Sequence, residues 1–176
     1  VKYVQFFMFK TKEEIPFEIQ YLTAAEEIVV YSNANHFLHS LSTGEHITKL
    51  TNLKRLTIGA YGLTELHPDF VNLKNLEYLD ISSNCFEEIP EILTPENFPK
   101  LHTLVMAACQ RYTIYDLSND KRENVGGFIA DDLREDKGMR SLKRLLKWNN
   151  LDTLRLSVNY LQGELPDMED EGLPTW

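Results

Sequence analysis

The stretch LKRLTIGAYGLTELHPDFVNLKNLEYLDISSNCFEEIP, residues 53–90, contains one phrase twice. The second copy begins 23 residues after the first, and both copies place apolar side chains at the same five offsets. These positions are Leu53, Leu56, Ile58, Leu63 and Leu66, followed by Leu76, Leu79, Ile81, Phe86 and Ile89. A phrase that recurs at such a period indicates stacked units, each burying its apolar face against its neighbours.

Weaker copies of the phrase lie on both sides of this stretch. They open at Leu101 and Leu151 downstream, and at Ala25 and Val1 upstream. Six strand-type segments are therefore expected. The step from the Leu101 copy to the Leu151 copy is 50 residues, about twice the usual step. Residues 110–150 are accordingly predicted to be an insertion within one repeat.

Two segments carry a resemblance to a known family. LDISSNCFEEIP, residues 79–90, is close to the consensus of leucine-rich repeats, and NYLQGELP, residues 159–166, resembles its N-x-L-x-G-x-L-P variant. The resemblance extends over residues 25–166 and, less closely, over the first 24 residues. It implies an α/β fold, a right-handed solenoid with a parallel sheet on its concave side. The general character of the sequence also resembles repeat regions of secreted or surface-anchored proteins of gut Bacteroidetes.

Each copy contains a short strand whose side chains alternate between the two faces of the sheet. One face is predicted to be core: Leu56, Ile58, Leu79, Ile81, Leu104, Met106, Leu154 and Leu156. Asn84 and Asn159 stand where the strand turns away, and in this repeat class such an Asn hydrogen-bonds the backbone of the turn. Cys109 holds the same place in its copy.

The second half of the insertion has the charge order of a helix, expected between about Ile129 and Lys147. Its acidic residues precede its basic ones, an order that suits the helix dipole. An apolar stripe can lie on the convex side of the solenoid. Two interpretations stay open for this segment, a basic amphipathic docking helix and an elaborated convex arm packed on its own repeat.

Composition limits the class of protein. A chain of 176 residues suits one domain, residues 1–176, with an ample core. Its net charge of −9 argues against nonspecific binding to nucleic acid or anionic membranes. No apolar stretch is long enough to span a membrane. The chain is expected to be a fragment of a longer protein located outside the cell or on its surface, with the export signal removed.

Catalytic chemistry finds little support in the sequence. His36 and His39 form an H-x-x-H pair with no third ligand at the spacing of a metal site. No nucleophile motif or phosphate-binding loop is present. Cys85 and Cys109 fall in adjacent copies one position out of register, which favours two thiols over a disulfide. The chain is therefore predicted to be no enzyme and to use no metal or cofactor.

The concave face is the better candidate for function. Strand alternation points three residues of each copy outward, and one resulting row is aromatic at Phe7 and Tyr31 and then small from Gly59 onward. The predicted binding residues are Phe7, Tyr31, Arg55, Tyr78, Asp80 and Arg155. Exposed Tyr and Arg are typical interface anchors. The alternative is that small residues relieve crowding on a curved sheet and that flanking structure covers the aromatics.

We therefore expect a non-catalytic recognition module of a secreted or cell-surface protein that binds a protein or peptide on its concave sheet. A glycan is a variant ligand, because stacked aromatics also suit sugars. Two alternatives remain at this stage. The chain is either a structural spacer or the recruiting region of an enzyme whose catalytic domain is absent.

Overall fold

Six strands form one parallel sheet. The computed structural model describes residues 1–8, 15–32, 42–86, 88–109, 114–116, 121–123, 142 and 144–157. Over all described residues the strands number eight: β1 (Tyr3–Met8), β2 (Glu27–Ser32), β3 (Arg55–Gly59), β4 (Tyr78–Asp80), β5 (Thr103–Val105), β6 (Ile114–Asp116), β7 (Lys121–Glu123) and β8 (Thr153–Arg155). The sheet order is β1-β2-β3-β4-β5-β8, and every neighbouring pair is parallel. The predicted parallel sheet is thereby confirmed.

The register is the one that the repeat offsets predict. Leu56 stands opposite Leu79, and Leu79 opposite Leu104, so equivalent positions of successive copies lie side by side. Here a unit means one strand with the segment that follows it up to the next strand of the sheet. The face of the sheet opposite the core is called the open face, and it carries residues 3, 5 and 7 of β1 and their register partners.

The segments between strands contain short 3₁₀-helices at Phe17–Tyr21, His46–Lys49 and Pro68–Asn72. The N–H that follows each one donates to the carbonyl three residues earlier, at 3.0 to 3.2 Å. The same turn then recurs once more before the strand, as when Leu76 N–H donates to Leu73 at 3.2 Å. These turns return the chain to the start of the next strand while satisfying its backbone groups.

The core confirms most of the predicted apolar set. Leu56, Ile58, Leu79, Ile81, Leu104 and Met106 are completely buried. The prediction was wrong for Leu154 and Leu156, which are only partly buried. Both belong to β8 or follow it, and β8 is the last strand of the described sheet. One side of each leucine therefore lacks a described neighbouring strand to pack against.

Asn84 hydrogen-bonds the backbone of two adjacent units, as predicted. Its Oδ1 accepts from the N–H groups of Tyr61 and Leu63 at 3.0 and 3.1 Å. Its Nδ2 donates to the carbonyls of Ile58, Ile81 and Ser82 at 2.7, 2.8 and 3.2 Å. The side chain is completely buried. One amide thus satisfies main-chain groups that the turn would otherwise leave buried without partners.

Three successive units have a residue in the left-handed region at the same repeat position after the strand. Ala60, Ser83 and Ala108 have φ values of 54°, 57° and 51°. Each N–H donates to the neighbouring unit, from Ala60 to Ser82 at 3.2 Å, for example. Side chains other than glycine rarely adopt this conformation. Its recurrence shows that the turn geometry is imposed by the stacking rather than by local preference.

A row of five charged residues and one histidine precedes the six strands. Backbone hydrogen bonds link neighbours in the order Lys2, Glu26, Lys54, Glu77, His102 and Asp152. Glu26 forms ion pairs with Lys2 at 2.7 Å and with Lys54 at 3.1 Å. The Lys2 ammonium, and then Lys54, hold the pKa of Glu26 below its usual range. This row, residues 2, 26, 54, 77, 102 and 152, is called the charge row.

The predicted insertion lies mostly outside the described residues. Strands β6 and β7 within it pair antiparallel, a feature that the sequence analysis did not predict. Of the predicted helix, the described residues 142 and 144–146 are helical. Arg144 donates to the carbonyl of Ile89 at 2.6 Å, and Trp148 N–H donates to Leu145 at 2.9 Å. Residues 145–151 thus repeat the turn pattern of residues 70–76 and rejoin the core.

Candidate functional site on the open face

The open face carries three rows of side chains that cross the sheet. Strand pairing aligns the first row as Tyr3, Glu27, Arg55, Tyr78, Thr103 and Thr153. The middle row is Gln5, Val29, Thr57, Asp80, Val105 and Arg155. The third begins Phe7, Tyr31, Gly59. Neighbouring strands lie about 4.8 Å apart, so successive members of a row are direct neighbours on the sheet.

Arg55 and Tyr78 form a stacked pair at the centre of the first row. The Arg55 Cζ atom lies 4.1 Å from the centroid of the Tyr78 ring. On the opposite side, Arg55 Nε lies 3.5 Å from Glu27 Oε1, with both side chains still partly exposed. A guanidinium over an aromatic face is attracted by the ring quadrupole. The stack holds a cation and an aromatic ring in place on the surface before any ligand arrives.

Asp80 connects this pair to the strand end. The Tyr78 hydroxyl donates to Asp80 Oδ2 at 3.4 Å, and the Ser82 N–H donates to Asp80 Oδ1 at 3.0 Å. Burial, and then the neighbouring Asp80 carboxylate, raise the pKa of Tyr78 above its ordinary value. Tyr78 is thus a protonated donor at neutral pH, held between a cation and an anion.

Tyr31 lies on the sheet rather than standing upright from it. A β-carbon built on Gly59 would be 2.5 Å from Tyr31 Cε1 and 2.6 Å from Cδ1. The ring therefore covers the bare backbone of β3 while 38% of the residue stays exposed. This packing brings Tyr31 onto the strand that carries Arg55. Of the predicted residues, Arg55, Tyr78 and Asp80 are thus linked by direct contacts, and Tyr31 packs on the strand that carries Arg55.

The other two predicted residues lie on either side of this group. Phe7 pairs with Tyr31 across β1 and β2 and is 58% exposed. Arg155 is exposed on β8, with Val105 between it and Asp80 in the middle row. The four central residues are called the central cluster, and Phe7 and Arg155 flank it at opposite ends of the sheet.

Sequence reasoning missed two features of this face. Glu27 is not among the predicted binding residues, although its charge opposite Arg55 at the same repeat offset is a usable signal. Thr57 and Val105 also point outward, yet each is only 8% exposed. Their longer neighbours in the flanking rows cover them. Thr57 and Val105 are therefore covered positions within the middle row, whereas Gln5 and Arg155 at its ends are exposed.

A second group of exposed aromatic side chains lies in the segment between β1 and β2. Phe17 and Tyr21 are 51% and 70% exposed, and their rings meet edge to face with centroids 6.4 Å apart. Phe17 also contacts His46 at 6.1 Å. The pair lies on the first 3₁₀-helix, outside the sheet that carries the central cluster.

The described ranges contain neither a cluster of metal-binding side chains nor a membrane-spanning helix. Within them, no three His, Cys, Asp or Glu side chains converge as ligands. The His36 and His39 pair lies outside those ranges. Cys85 and Cys109 are both buried thiols. None of the helices in the described portion is long and apolar enough to cross a membrane.

A comparison with known families gives one match. Residues 75–98 match the Leucine Rich Repeat model, which confirms the resemblance found in the sequence. The matched segment begins just before β4 and includes Tyr78, Asp80 and Asn84. No match to a curated protein was found. Repeats of this family generally mediate protein–protein interaction and are typically non-catalytic.

Proposed function

We propose that this chain, a leucine-rich repeat protein by the match of residues 75–98, is a non-catalytic recognition module for a protein or peptide. The open face is the concave side of a right-handed solenoid in this proposal, and the insertion within residues 110–150 is a helical elaboration of the convex side. The ligand lies across the strands and contacts the central cluster. The module performs no chemistry on the ligand.

The observation that carries the proposal is the Arg55–Tyr78 stack, 4.1 Å from Cζ to ring centroid. Tyr and Arg are the residues most often responsible for binding energy at protein interfaces. Here Glu27 and Asp80 fix their positions, so little conformational entropy is lost on binding. Tyr31 adds a ring that is 38% exposed. Apolar contact area and directional charge therefore lie within one small region.

The mixed charge of the region favours a peptide over a nucleic acid. Glu27, Arg55 and Asp80 alternate in sign across adjacent strands, while a phosphate backbone requires clustered cations. The chain as a whole carries a net charge of −9, which also opposes polyanions. A peptide with alternating charges and an apolar side chain complements this arrangement. A glycan that stacks on Tyr31 is the variant ligand.

The setting of the module is a separate part of the proposal. We place it in a secreted or cell-surface protein of bacterial origin. This placement is supported by the general resemblance of the sequence to repeat regions of secreted or surface-anchored proteins of gut Bacteroidetes. Fractionation of the source cells, followed by detection of the protein with an antibody, tests this placement independently of ligand binding.

A selection from displayed random peptides tests the binding function. Peptides enriched on the immobilised protein are expected to bind Tyr31→Ala/Tyr78→Ala more weakly by about 30-fold or more, the loss of a 2 kcal/mol hot spot. Phe17→Ala/Tyr21→Ala removes the same number of exposed aromatic rings elsewhere and should leave the affinity unchanged. Enrichment of no peptide, or equal loss in both double variants, would overturn the proposal.

Deletion of residues 117–127 separates the open face from the insertion. A long loop can also carry function, so the insertion is the competing site. The deletion is expected to leave the affinity of the selected peptides unchanged. Loss of binding on deletion, together with retained binding by Tyr31→Ala/Tyr78→Ala, would transfer the site to the insertion and leave the open face as scaffold.

A further inference from the structure

The charges around the central cluster do not cancel. Arg55 is already neutralised, because its Nε lies 3.5 Å from Glu27 Oε1. Among the described residues, Asp80 forms no ion pair, and its hydrogen bonds come from two neutral donors, the Tyr78 hydroxyl and the Ser82 N–H. Two anions, Glu27 and Asp80, therefore stand against one cation, and the unpaired charge is that of Asp80.

The Asp80 carboxylate keeps free acceptor positions. Two carboxylate oxygens offer about four lone-pair positions, and the protein donors occupy one on each oxygen. The bond from the Tyr78 hydroxyl is 3.4 Å long, beyond the usual range for O–H···O bonds, and is therefore weak. Asp80 is only partly buried, so donors of a ligand can reach the remaining positions.

Neutral, covered side chains flank Asp80 in the middle row. Its register partners Thr57 and Val105 are each 8% exposed. A charge that is partly removed from water interacts more strongly with an opposite charge than a fully exposed one does. Burial, and then the negative charge of Asp80, raise the pKa of Tyr78, and the effect of Asp80 exceeds the opposing effect of Arg55. The field of the Asp80 carboxylate is therefore not cancelled by Arg55.

We propose that the peptide ligand places a basic side chain, arginine in preference to lysine, on the Asp80 carboxylate. This inference rests on the proposed recognition function and adds the chemical class of the residue that is recognised. A planar guanidinium presents parallel N–H donors that match a carboxylate, whereas an ammonium is a point charge. The aliphatic stem of the arginine packs against the Tyr31 ring, which lies over β3, the strand next to Asp80.

Other charged ligands fit this position less well. A carboxylate brought to Arg55 would approach the like charges of Glu27 and Asp80, and such repulsion discriminates against acidic peptides. A metal ion requires several converging ligands, and the part of the chain that the structure describes contains no group of three such side chains. The net charge of −9 also attracts basic peptides over longer distances. The surface is thus complementary in charge to a basic peptide.

Synthetic bead libraries of heptapeptides test this inference. Each library has one fixed central residue, either arginine, citrulline or glutamate, and its variable positions omit lysine, arginine and histidine. Citrulline keeps the shape of arginine but carries no charge. The labelled protein is expected to bind the arginine library most strongly. Peptides recovered from it should lose about tenfold or more in affinity when they are resynthesised with citrulline, because a charge-assisted pair becomes a neutral one.

Asp80→Asn identifies the carboxylate that is recognised. The asparagine keeps an acceptor oxygen for the Ser82 N–H, and the loss on replacing arginine by citrulline should shrink to less than about twofold, as in a double-mutant cycle. Asp80→Ser is a second neutral variant with the same expected result. Asp152→Asn removes the same charge from an exposed position in the charge row and should leave the tenfold loss unchanged. Thermal melts check that each variant is folded.

The possible results separate this inference from the proposed function. Equal binding of arginine and citrulline peptides, or an arginine preference that persists in both Asp80 variants, overturns the inference. The recognition function then stands if Tyr31→Ala/Tyr78→Ala still weakens binding. A preference for the glutamate library overturns the inference in favour of an anionic ligand at Arg55. Failure of every library to bind overturns the recognition function as well.

Discussion

The ring of Tyr31 rests on Gly59, so closely that a β-carbon at the glycine would lie 2.5 Å from the ring. The two residues are register partners on β2 and β3. Tyr31 therefore gains apolar contact with the backbone instead of extending into water. The ring is also directed toward the strand that carries Arg55. Gly59 is in this sense part of the central cluster, although it offers no side chain to a ligand.

We expect Gly59→Ala to have opposite effects in two backgrounds. In the parent chain the new methyl group displaces the Tyr31 ring, and an off-rotamer side chain costs about 1 kcal/mol. In a Tyr31→Ala background the clash is gone, and alanine in a strand should stabilise by about 0.5–1 kcal/mol over glycine. Chemical denaturation of the four proteins forms a double-mutant cycle. Equal effects of Gly59→Ala in both backgrounds would mean that the ring does not occupy this position.

Truncation of a core leucine should be costly. Leu79 is completely buried, and Leu79→Ala should lower the free energy of unfolding by roughly 2–5 kcal/mol through lost contacts and a cavity. Thr103→Ala, on the open face of the next strand, is the control and should change it by no more than about 0.5 kcal/mol. Thermal melts followed by circular dichroism measure both. An unchanged melting temperature for Leu79→Ala contradicts the stacked core.

Asn84→Ala should destabilise the chain although it removes no apolar group. The substitution leaves the N–H groups of Tyr61 and Leu63 and the carbonyl of Ile58 buried without their partner. Each unsatisfied buried group costs about 1–3 kcal/mol. Asn75→Ala is a suitable control, since its amide donates to Thr51 at an exposed site. Amide exchange at Tyr61 and Leu63 should accelerate in Asn84→Ala, and unaltered exchange would rule out the bridging role.

The Cys109 thiol should be unreactive at neutral pH. Its ionisation should lower the free energy of unfolding in alkaline solution. Burial raises the pKa of this thiol to about 12 from an ordinary value of 9.0. The unfolded chain therefore releases the proton at lower pH than the folded chain. The contribution of the protonated Cys109 thiol to the free energy of unfolding is complete below about pH 9 and is lost as pH rises toward 12. A thiol reagent should label the native protein slowly, and labelling as fast as in denaturant would contradict the burial.

The alkaline loss is best measured against a variant. Tyrosines and lysines titrate in the same range, so unfolding free energies of the parent chain and Cys109→Ala should be compared between pH 8 and pH 11, on either side of the ordinary cysteine pKa near 9. The parent is expected to lose more stability than the variant over that interval. Parallel curves would show that the Cys109 proton is not linked to folding.

The faces and register of the sheet were predictable because repetition supplies its own alignment. Once Leu56 and Leu79 are recognised as equivalent, strand alternation assigns every neighbour to a face. The prediction succeeded for Asn84 for the same reason. It failed at Leu154 and Leu156, where the sequence pattern persists but the described sheet ends. Periodicity specifies which way a side chain points, and burial also depends on what lies beside it.

Contacts between side chains of different units could not be predicted from the sequence. The idea that small residues relieve crowding applies at Gly59, yet only the geometry identifies Tyr31 as the cause. Ala60, Ser83 and Ala108 adopt the left-handed conformation although none of them is glycine. The identity of these residues therefore gives no local signal that predicts it. The Arg55–Tyr78 stack likewise depends on rotamers, although both residues were predicted binding residues. Such features arise from three-dimensional packing, which a period does not encode.

The charge row has a consequence for how such a chain can lengthen. Its first four members alternate in sign from Lys2 through Glu26 and Lys54 to Glu77, and hydrogen bonds hold them in register. Removing one unit between Lys2 and Glu77 would place like charges side by side, whereas removing two adjacent units would restore the alternation. Duplication or loss of units should therefore be better tolerated in pairs than singly. The alternating charges of this row therefore favour changes in length by an even number of units.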